Sequence, residues 1–158
     1  MSIAAPRFDA VLFDCDGVLV DSEPITHGVL RAMLAEAGWT LDEAECTRLF
    51  LGKAVKDEAA LIEAKTGRPL TEEWLAVFRE RRNQQLLAHL TAIRHVAGAV
   101  AAIHEAFGGR IACASGADMV KLRLQLDKTG LMKWFDGRIF SGHEQPRSKP
   151  FPDVYLAA

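Results

Sequence analysis

Two aspartates one residue apart, Asp14 and Asp16, have the clearest capacity for chemistry in this chain. They follow the apolar run 10–13, which is typical of a buried strand, and Gly17 permits a sharp turn after them. Such a turn can direct both carboxylates at one small group, so that one attacks while the other handles a proton. Two carboxylates at close quarters stay ionised only beside a cation, and their hard oxygens favour Mg²⁺.

The context of this Asp-x-Asp pair favours a reaction centre over plainer interpretations. Ligands of parallel α/β sheets bind beyond the carboxyl ends of the strands, which is where the pair would lie. The pair alone could equally be a solvated or Ca²⁺-binding turn, or a helix N-cap. The strand before it and the sequence Gly-Val-Leu-Val-Asp-Ser at 17–22 weaken those alternatives.

The whole segment 13–22 resembles a motif of a known family. Its sequence, Phe-Asp-Cys-Asp-Gly-Val-Leu-Val-Asp-Ser, is similar to the first motif of the haloacid dehalogenase superfamily, in its phosphatase and phosphomutase branch. The resemblance implies that Asp14 is a nucleophile that becomes an aspartyl-phosphate, and that Asp16 protonates the leaving oxygen and later activates water. It also implies Mg²⁺ between Asp14, the backbone carbonyl of Asp16 and a third acidic group.

A second strand pattern, at 111–114, ends in Ser115 and Gly116. Asp118 can cap a helix that begins immediately afterwards. A hydroxyl group, exposed N–H groups and a helix N-terminus together can hold a phosphate group, so Ser115 and Gly116 are predicted to bind phosphate. A simple capped turn between strand and helix is the alternative, and the position after Asp-x-Asp favours the phosphate site.

A lysine, Lys149, precedes Pro150 in a predicted turn, after which Asp153 is predicted to cap a helix. The stretch 148–153 resembles the lysine motif of the same superfamily. An ammonium group there would neutralise phosphoryl oxygens and keep Asp14 ionised, which matters because positioning and electrostatics dominate phosphoryl transfer. A surface turn is the alternative for an isolated Lys-Pro.

The family's remaining motif, an acidic cluster that completes the metal site, has no counterpart before the sequence ends at Ala158. We therefore expect a fragment, or else a metal site short of one ligand and a poorly stable monomer. In the family the first strand lies centrally. A chain without the later strands would carry 10–13 as an exposed apolar edge, which favours aggregation.

A helical insertion separates the first and second motifs. Its apolar periodicity predicts four helices, over about 22–37, 40–50 (opened by a capping box from Thr40 to Glu43), 54–65 and from Thr71 to about 92. Four helices at this place resemble the helical-bundle cap of the superfamily, which implies a lid that closes over the site on hinges at 20–22 and 93–96. Gly52 and Lys53, in the loop after the second helix, are predicted to contact substrate, with a plain surface lysine as the alternative.

The order of these patterns predicts an α/β fold. It would consist of a Rossmann-like three-layer core with a parallel sheet, incomplete at the C-terminus, and the inserted α-helical bundle as a second domain. Residues 1–21 and 93–158 would form the core and 22–92 the cap. The remaining core elements are predicted as helices at 98–107 and 119–128 and a third strand at 138–141.

The composition is that of an ordinary soluble globular protein, with 49% hydrophobic and 25% charged residues and a net charge of −2. This balance argues against nucleic-acid and membrane partners, and the sequence shows neither a membrane-span pattern nor a signal-peptide pattern. The three cysteines are unpatterned, so we predict a reducing, cytoplasmic location. Cys15 is interpreted as a buried apolar residue, the five histidines are not assigned to a metal, and the oligomeric state is left open.

Among the reactions of this superfamily, phosphate ester hydrolysis fits the residues best. Halide removal is disfavoured because Asp16 is present, and phosphonate cleavage would need a cap lysine such as Lys53 or Lys56. Sugar-phosphate mutases carry a basic residue just before the cap-loop glycine, where this chain has Leu51. We therefore predict a Mg²⁺-dependent phosphatase acting on a small phosphorylated metabolite, such as a sugar phosphate or phosphorylated sugar acid. The alternatives are a mutase of the β-phosphoglucomutase type and a truncated, non-catalytic module that binds phosphorylated ligands or another chain.

Overall fold

The computed structural model describes residues 8–158, which form two compact units. The core unit comprises the chain up to Asp21 together with Thr91–Ala158, and the helical unit comprises Ser22–Leu90. Residues 1–7 of the predicted core, and with them the interpretation of the N-terminus, lie outside the described residues. None of the helices described from Phe8 onward has the length and apolar character needed to cross a membrane.

Over residues 8–158 the sheet of the core unit contains three parallel strands in the order β1-β2-β3. They are β1 (Val11–Phe13), β2 (Ile111–Ser115) and β3 (Ile139–Ser141). Phe13 pairs with Cys113, and Ser115 pairs with Ser141, so the carboxyl ends of the strands meet at one edge of the sheet. The predicted α/β class with a parallel sheet is confirmed.

The central strand β2 is buried along its whole length, as is typical of a parallel strand with neighbours on both sides. The prediction that the run 10–13 is buried is wrong for Leu12, whose side chain is 40% exposed. Successive side chains of a strand point to opposite faces of the sheet, and Leu12 points to the face opposite Val11 and Phe13. In the sheet formed by the described residues β1 also has one neighbour, β2, so this face at the edge of the sheet is left partly open. Phe13 does pack inward, edge-on against Phe135 with ring centroids 5.6 Å apart.

The core unit contains four helices, numbered α5 to α8 because the first four helices of the chain lie in the helical unit. They are α5 (Val96–Ala106), which precedes β2, α6 (Met119–Lys128) and α7 (Met132–Phe135), which lie between β2 and β3, and α8 (Asp153–Ala157), which follows β3. The predicted bounds of α6 are confirmed, and its N-cap is Asp118 as expected. The helix α5 begins two residues before the predicted Gly98, because the N-cap His95 takes a left-handed conformation with φ of 66°.

The helical unit contains the helices α1 (Glu23–Glu36), α2 (Glu43–Phe50), α3 (Ala59–Thr66) and α4 (Glu72–His89). The predicted helix over 54–65 is wrong in its first turn, which is a 3₁₀ turn over Val55–Glu58. The capping box of α2 is also shifted from the predicted Thr40 and Glu43. Asp42 accepts from the backbone N–H of Glu45 at 2.7 Å, and Glu45 accepts from that of Asp42 at 3.2 Å.

A buried apolar cluster holds the helical unit together. Its members are Leu30, Met33, Leu34, Leu41, Cys46, Phe50, Ile62 and Phe78. The cluster draws on all four helices, so burial of these side chains, rather than the intrinsic propensity of short helices such as α2 and α3, stabilises the unit.

Replacing Leu34 by Ala is expected to lower the free energy of unfolding by about 2–5 kcal/mol, because this side chain is fully buried and its removal leaves a cavity. The measurement is urea unfolding followed by circular dichroism. Leu87→Ala is the matched control, since Leu87 lies on α4 with its side chain 55% exposed. Equal midpoints for both variants would contradict the assignment of Leu34 to the core.

The two segments that connect the units pair with each other. The backbone N–H of Asp21 donates to Thr91 O at 3.0 Å, and that of Ile93 donates to Leu19 O at 3.0 Å. An antiparallel bridge joins Val20 and Ala92 between them. A hinge at this place stays a prediction, and any motion there would have to bend two hydrogen-bonded segments together.

Candidate active site

The carboxyl edge of the sheet gathers the residues that the sequence singled out. Asp14 directly follows β1, and Ser115 is the last residue of β2. After Asp16 the chain reverses at Gly17, which has φ of +73°, a backbone conformation that side chains with a Cβ rarely adopt. The N–H of Gly17 donates to Val20 O at 2.9 Å and closes the turn.

Asp14 is held by two donors while its side chain stays accessible. Lys149 Nζ lies 3.2 Å from Asp14 Oδ1, and the backbone N–H of Cys15 donates to the same oxygen at 2.8 Å. The Asp14 side chain is 41% exposed. A carboxylate that is reachable and charge-stabilised in this way can act as a nucleophile toward an electrophilic phosphorus atom.

Lys149 joins the ends of two strands. Besides contacting Asp14, its Nζ donates to Ala114 O at 3.1 Å. Burial lowers the pKa of Lys149, but the Tyr155 hydroxyl and the Asp14 carboxylate raise it by more, so the pKa lies above its ordinary value. The ammonium group therefore stays charged at neutral pH and is available to balance phosphoryl oxygens.

Asp16 is held by a second, separate pair of donors. Lys121 Nζ lies 2.7 Å from Asp16 Oδ1, and Gln125 Nε2 donates to the same oxygen at 2.8 Å. Lys121 and Gln125 stand one turn apart on α6, and both are buried. Each aspartate thus has its own lysine partner, Lys149 for Asp14 and Lys121 for Asp16.

The loop after β2 is tightly built around Ser115 and Gly116. Ser115 is 1% exposed, and its Oγ accepts from the backbone N–H of Ala117 at 3.2 Å. Ser141 Oγ donates to Ala117 O at 2.7 Å and ties this loop to the end of β3. A Cβ at Gly142 would lie 3.2 Å from Gly116 Cα, so a larger residue here would push the two loops apart by a few tenths of an ångström.

The loop that carries Lys149 is braced by an ion pair rather than by a helix cap. The sequence predicts Asp153 as the N-cap of the last helix, and that is wrong, because Pro152 occupies this position. Arg147 instead binds the Asp153 carboxylate through both of its oxygens, with Nε to Oδ1 at 3.1 Å and Nη2 to Oδ2 at 2.8 Å. This bidentate pair joins two residues that lie on either side of Lys149 in the chain.

Cys15 lies between the two aspartates but is not a nucleophile. It is fully buried, and its thiol donates to Gln125 Oε1 at 3.6 Å. The hydrogen bond with Cys113 and burial both raise the pKa of Cys15, so the thiol stays protonated. The interpretation of Cys15 as a buried residue is confirmed.

The predicted cap residues belong to the helical unit. Gly52, with φ of +73°, and Lys53 follow α2, and Lys53 Nζ forms an ion pair with Glu58 Oε1 at 3.0 Å. The core unit thus brings Asp14, Asp16, Ser115, Gly116 and Lys149 to one edge of its sheet. A substrate contact by Gly52 or Lys53 stays a prediction.

The oxygen donors at this edge are of the type that binds divalent cations such as Mg²⁺. The Asp14 carboxylate and the backbone carbonyl of Asp16 are hard oxygen donors, the kind that divalent cations such as Mg²⁺ prefer, with water and substrate phosphate completing the shell. In the part of the chain that the structure describes, no group of three or more His, Cys, Asp or Glu side chains is placed to hold a metal ion.

Four residues at the site are not predicted from the sequence. They are Lys121, Gln125, Ser141 and Gly142. The pattern of α6 could have indicated Lys121 and Gln125. Each directly precedes a leucine, Leu122 or Leu126, on the buried face of α6, where an amphipathic helix normally places apolar side chains. Ser141 and Gly142 carry no such signal, since their roles depend on the packing of one loop against another.

Comparison with known proteins decides the family. A family model described as haloacid dehalogenase-like hydrolase matches residues 8–158. The chain belongs to this family. The family resemblance that the sequence predicted is thereby confirmed.

Two curated relatives of this haloacid dehalogenase-like hydrolase are phosphatases. The chain is 30% identical to the 6-phosphogluconate phosphatase of Escherichia coli over 153 residues, which are 96% of the chain and 67% of the relative. It is 32% identical over 152 residues to the phosphoglycolate phosphatase of Cereibacter sphaeroides, covering 94% of the chain and 69% of the relative. Family and relatives make the chain a phosphoric monoester hydrolase.

A solved structure supports the family assignment of this hydrolase. A haloacid dehalogenase family hydrolase from Deinococcus radiodurans, with bound phosphate and sodium, superposes with a TM-score of 0.67 at 34% identity. The match covers 97% of the chain and 66% of that structure. The hydrolase described here thus spans about two thirds of the length of the relatives it matches.

Replacing Lys149 by Met is expected to lower kcat/KM for a phosphate monoester by about 10²–10³-fold, because a fixed cation at the reacting group is lost. The measurement is release of inorganic phosphate under initial-rate conditions. Lys128→Met removes an exposed lysine from the end of α6 and should leave the rate unchanged. A Lys149 variant as active as this control would exclude the lysine from the site.

Proposed function

We propose that this hydrolase is a Mg²⁺-dependent phosphatase that cleaves small phosphate monoesters through an aspartyl-phosphate on Asp14. The observation that carries the proposal is the accessible Asp14 carboxylate with Lys149 Nζ at 3.2 Å. A second carboxylate, Asp16, lies two residues away on a separately held turn, which matches the need for one nucleophile and one proton-transfer group.

The proposed reaction has two steps. In the first, an oxygen of Asp14 attacks phosphorus, the bond from phosphorus to the ester oxygen breaks, and Asp16 donates a proton to the departing alkoxide. In the second, Asp16 accepts a proton from a water molecule that attacks the same phosphorus. The bond from phosphorus to Asp14 then breaks, which releases inorganic phosphate and restores both carboxyl groups.

The remaining residues of the site would bind the phosphoryl group. Lys149 supplies a charge opposite to that of the phosphoryl oxygens, and Ser115 and Gly116 supply polar groups at the end of β2. Asp14 and the backbone carbonyl of Asp16 would hold Mg²⁺, which would neutralise part of the phosphoryl charge. The phosphate bound to the Deinococcus radiodurans relative supports a phosphate site in this family.

The substrate class that we propose is a small phosphorylated hydroxy acid or sugar. The names of both curated relatives, 6-phosphogluconate phosphatase and phosphoglycolate phosphatase, specify compounds that join a phosphate ester to a carboxylate. The helical unit is the part of the chain that we assign to substrate selection, with Gly52 and Lys53 as its candidate contacts. A cytoplasmic location fits the three buried, free cysteines.

The test is release of inorganic phosphate by the purified protein from a panel of phosphate monoesters, with Mg²⁺ and with a chelator. We expect release that requires Mg²⁺ and is fastest with phosphorylated hydroxy acids. Transfer of phosphate between hydroxyl groups of a sugar, with a bisphosphate intermediate, would overturn hydrolysis in favour of a mutase. Binding of phosphate esters without turnover would favour a non-catalytic module.

A further inference from the structure

We propose that Lys121 and Gln125 of α6 are positioning residues, which hold Asp16 in the orientation that transfers the proton to the leaving group. The inference rests on the proposed phosphatase function, in which Asp16 is the general acid. It concerns residues of α6 that the three sequence motifs do not contain.

Both donors act on one atom of Asp16. Lys121 Nζ lies 2.7 Å and Gln125 Nε2 lies 2.8 Å from Oδ1, so the two contacts fix the same carboxylate orientation. An aspartate side chain otherwise populates several staggered χ1 rotamers, and its terminal torsion is broad. Proton transfer requires the acid within hydrogen-bonding distance of the leaving oxygen, so a fixed rotamer raises the rate.

The direction of the Gln125 amide is itself determined. Cys15 Sγ donates to Gln125 Oε1 at 3.6 Å, which leaves the amide nitrogen to face Asp16. Cys15, which lies between Asp14 and Asp16 in the chain, therefore sets the orientation of the Gln125 amide that holds Asp16. This gives the buried thiol a role that does not depend on its reactivity.

The burial of these residues argues against a purely structural role. Lys121 is 7% exposed and Gln125 is fully buried, on the same face of α6 as Leu122 and Leu126. Burying an ammonium group has a desolvation cost, and a buried ion pair adds little stability compared with apolar side chains of similar volume. A leucine or methionine would fill either place in a structural helix, whereas a donor aimed at Asp16 serves the orientation of that carboxylate.

The decisive experiment compares substrates that differ in their need for an acid. An alkyl phosphate has a poor leaving group that must be protonated, whereas p-nitrophenyl phosphate has a good one that leaves unaided. The quantity to measure is kcat/KM, which for this reaction covers the steps up to departure of the leaving group. We expect Lys121→Met and Gln125→Met each to lower kcat/KM for the alkyl phosphate by about 10–10²-fold. For p-nitrophenyl phosphate the same variants should stay within a factor of about three of wild type.

A combined variant tests whether both residues act through Asp16. Adding Lys121→Met to Asp16→Asn should cause little further loss, because the group that Lys121 positions has already lost its acid function. Lys128→Met is the control on the same helix. If Gln125→Met does not fold, as judged by thermal unfolding, Gln125→Asn takes its place, since it keeps the amide but withdraws it by one methylene group.

The outcomes separate this inference from the proposed function. Equal losses with both substrates, no loss with either, or a full additional loss in the combined variant would overturn the positioning role. In each of these cases a wild-type protein that releases phosphate, and an Asp16→Asn variant with the expected leaving-group dependence, would leave the phosphatase function standing. A wild-type protein that releases no phosphate would overturn the function and the inference together.

Discussion

Replacing Asp14 by Asn is expected to lower kcat/KM for phosphate release by at least about 10⁴-fold, because an amide cannot form the covalent phosphoryl intermediate. The change is nearly isosteric, and the Asn side-chain oxygen can still accept from the backbone N–H of Cys15. The fold and the binding of inorganic phosphate should therefore survive. The measurements are initial rates of phosphate release, together with phosphate binding by calorimetry.

The matched control for this variant is Asp136→Asn, which alters an exposed aspartate at the end of α7. It should retain the wild-type rate. An Asp14→Asn protein that still hydrolyses phosphate esters within a factor of about ten of wild type would contradict covalent catalysis by Asp14. The carboxylate would then serve another purpose, such as activation of water by a general base.

Replacing Asp16 by Asn is expected to lower kcat/KM for alkyl phosphates by about 10²–10⁴-fold, the range typical for loss of general acid–base catalysis. The effect should depend on the substrate, because p-nitrophenyl phosphate can transfer its phosphoryl group to Asp14 without the acid. The second step, hydrolysis of the aspartyl-phosphate, still needs Asp16 to accept a proton from water. This variant should therefore release one equivalent of p-nitrophenol rapidly and then turn over slowly, which stopped-flow absorbance can detect.

A burst of this kind distinguishes the proton-transfer role from a structural one. Loss of structure around the site would reduce the first and second steps together and would remove the burst. Equal rates for wild type and Asp16→Asn with an alkyl phosphate would contradict the assignment of Asp16. Asp136→Asn again provides the control for a change of one aspartate elsewhere in the core unit.

The motifs that could be recognised from the sequence are those in which a local pattern and a family resemblance agree. Asp14 and Ser115 end strands whose apolar runs are continuous, and such runs are visible without tertiary information. Parallel strands then bring both residues to one edge. The bounds of α6 were predictable for the same reason, because Asp118 and Gly130 mark its two ends.

The contacts that orient the site could not be predicted in this way. Gln125 meets Asp16 across a separation of 109 residues, and no local pattern specifies such a pair. Lys121 was visible as a cation on an apolar face, but not as a partner of Asp16. The sequence predicts Asp153 as a cap from its short-range spacing, which does not reveal that Arg147 binds the same carboxylate from the other side of the lysine turn.

The burial of Leu12 in β1 and the start of α2 also differ from the prediction, for local reasons. The apolar run predicts burial of Leu12, but burial depends on what packs against its face of the sheet and beside its strand, which the run itself does not specify. For α2, Thr40 and Asp42 both have the side chain of an N-cap, and both have a glutamate three residues later. Asp42 is the N-cap in the structure, because Leu41 is buried in the apolar cluster and the helix starts after it.

The central claim is that the phosphoryl group passes through Asp14, and trapping that intermediate tests it most directly. The protein would be mixed with a radiolabelled phosphate monoester and Mg²⁺, quenched in acid within milliseconds, and mapped by peptide mass spectrometry, with Asp14→Asn treated in parallel. We predict label on the peptide that contains Asp14, and loss of that label in the variant. Turnover of the ester with no labelled peptide, or label that persists in Asp14→Asn, would contradict the covalent mechanism.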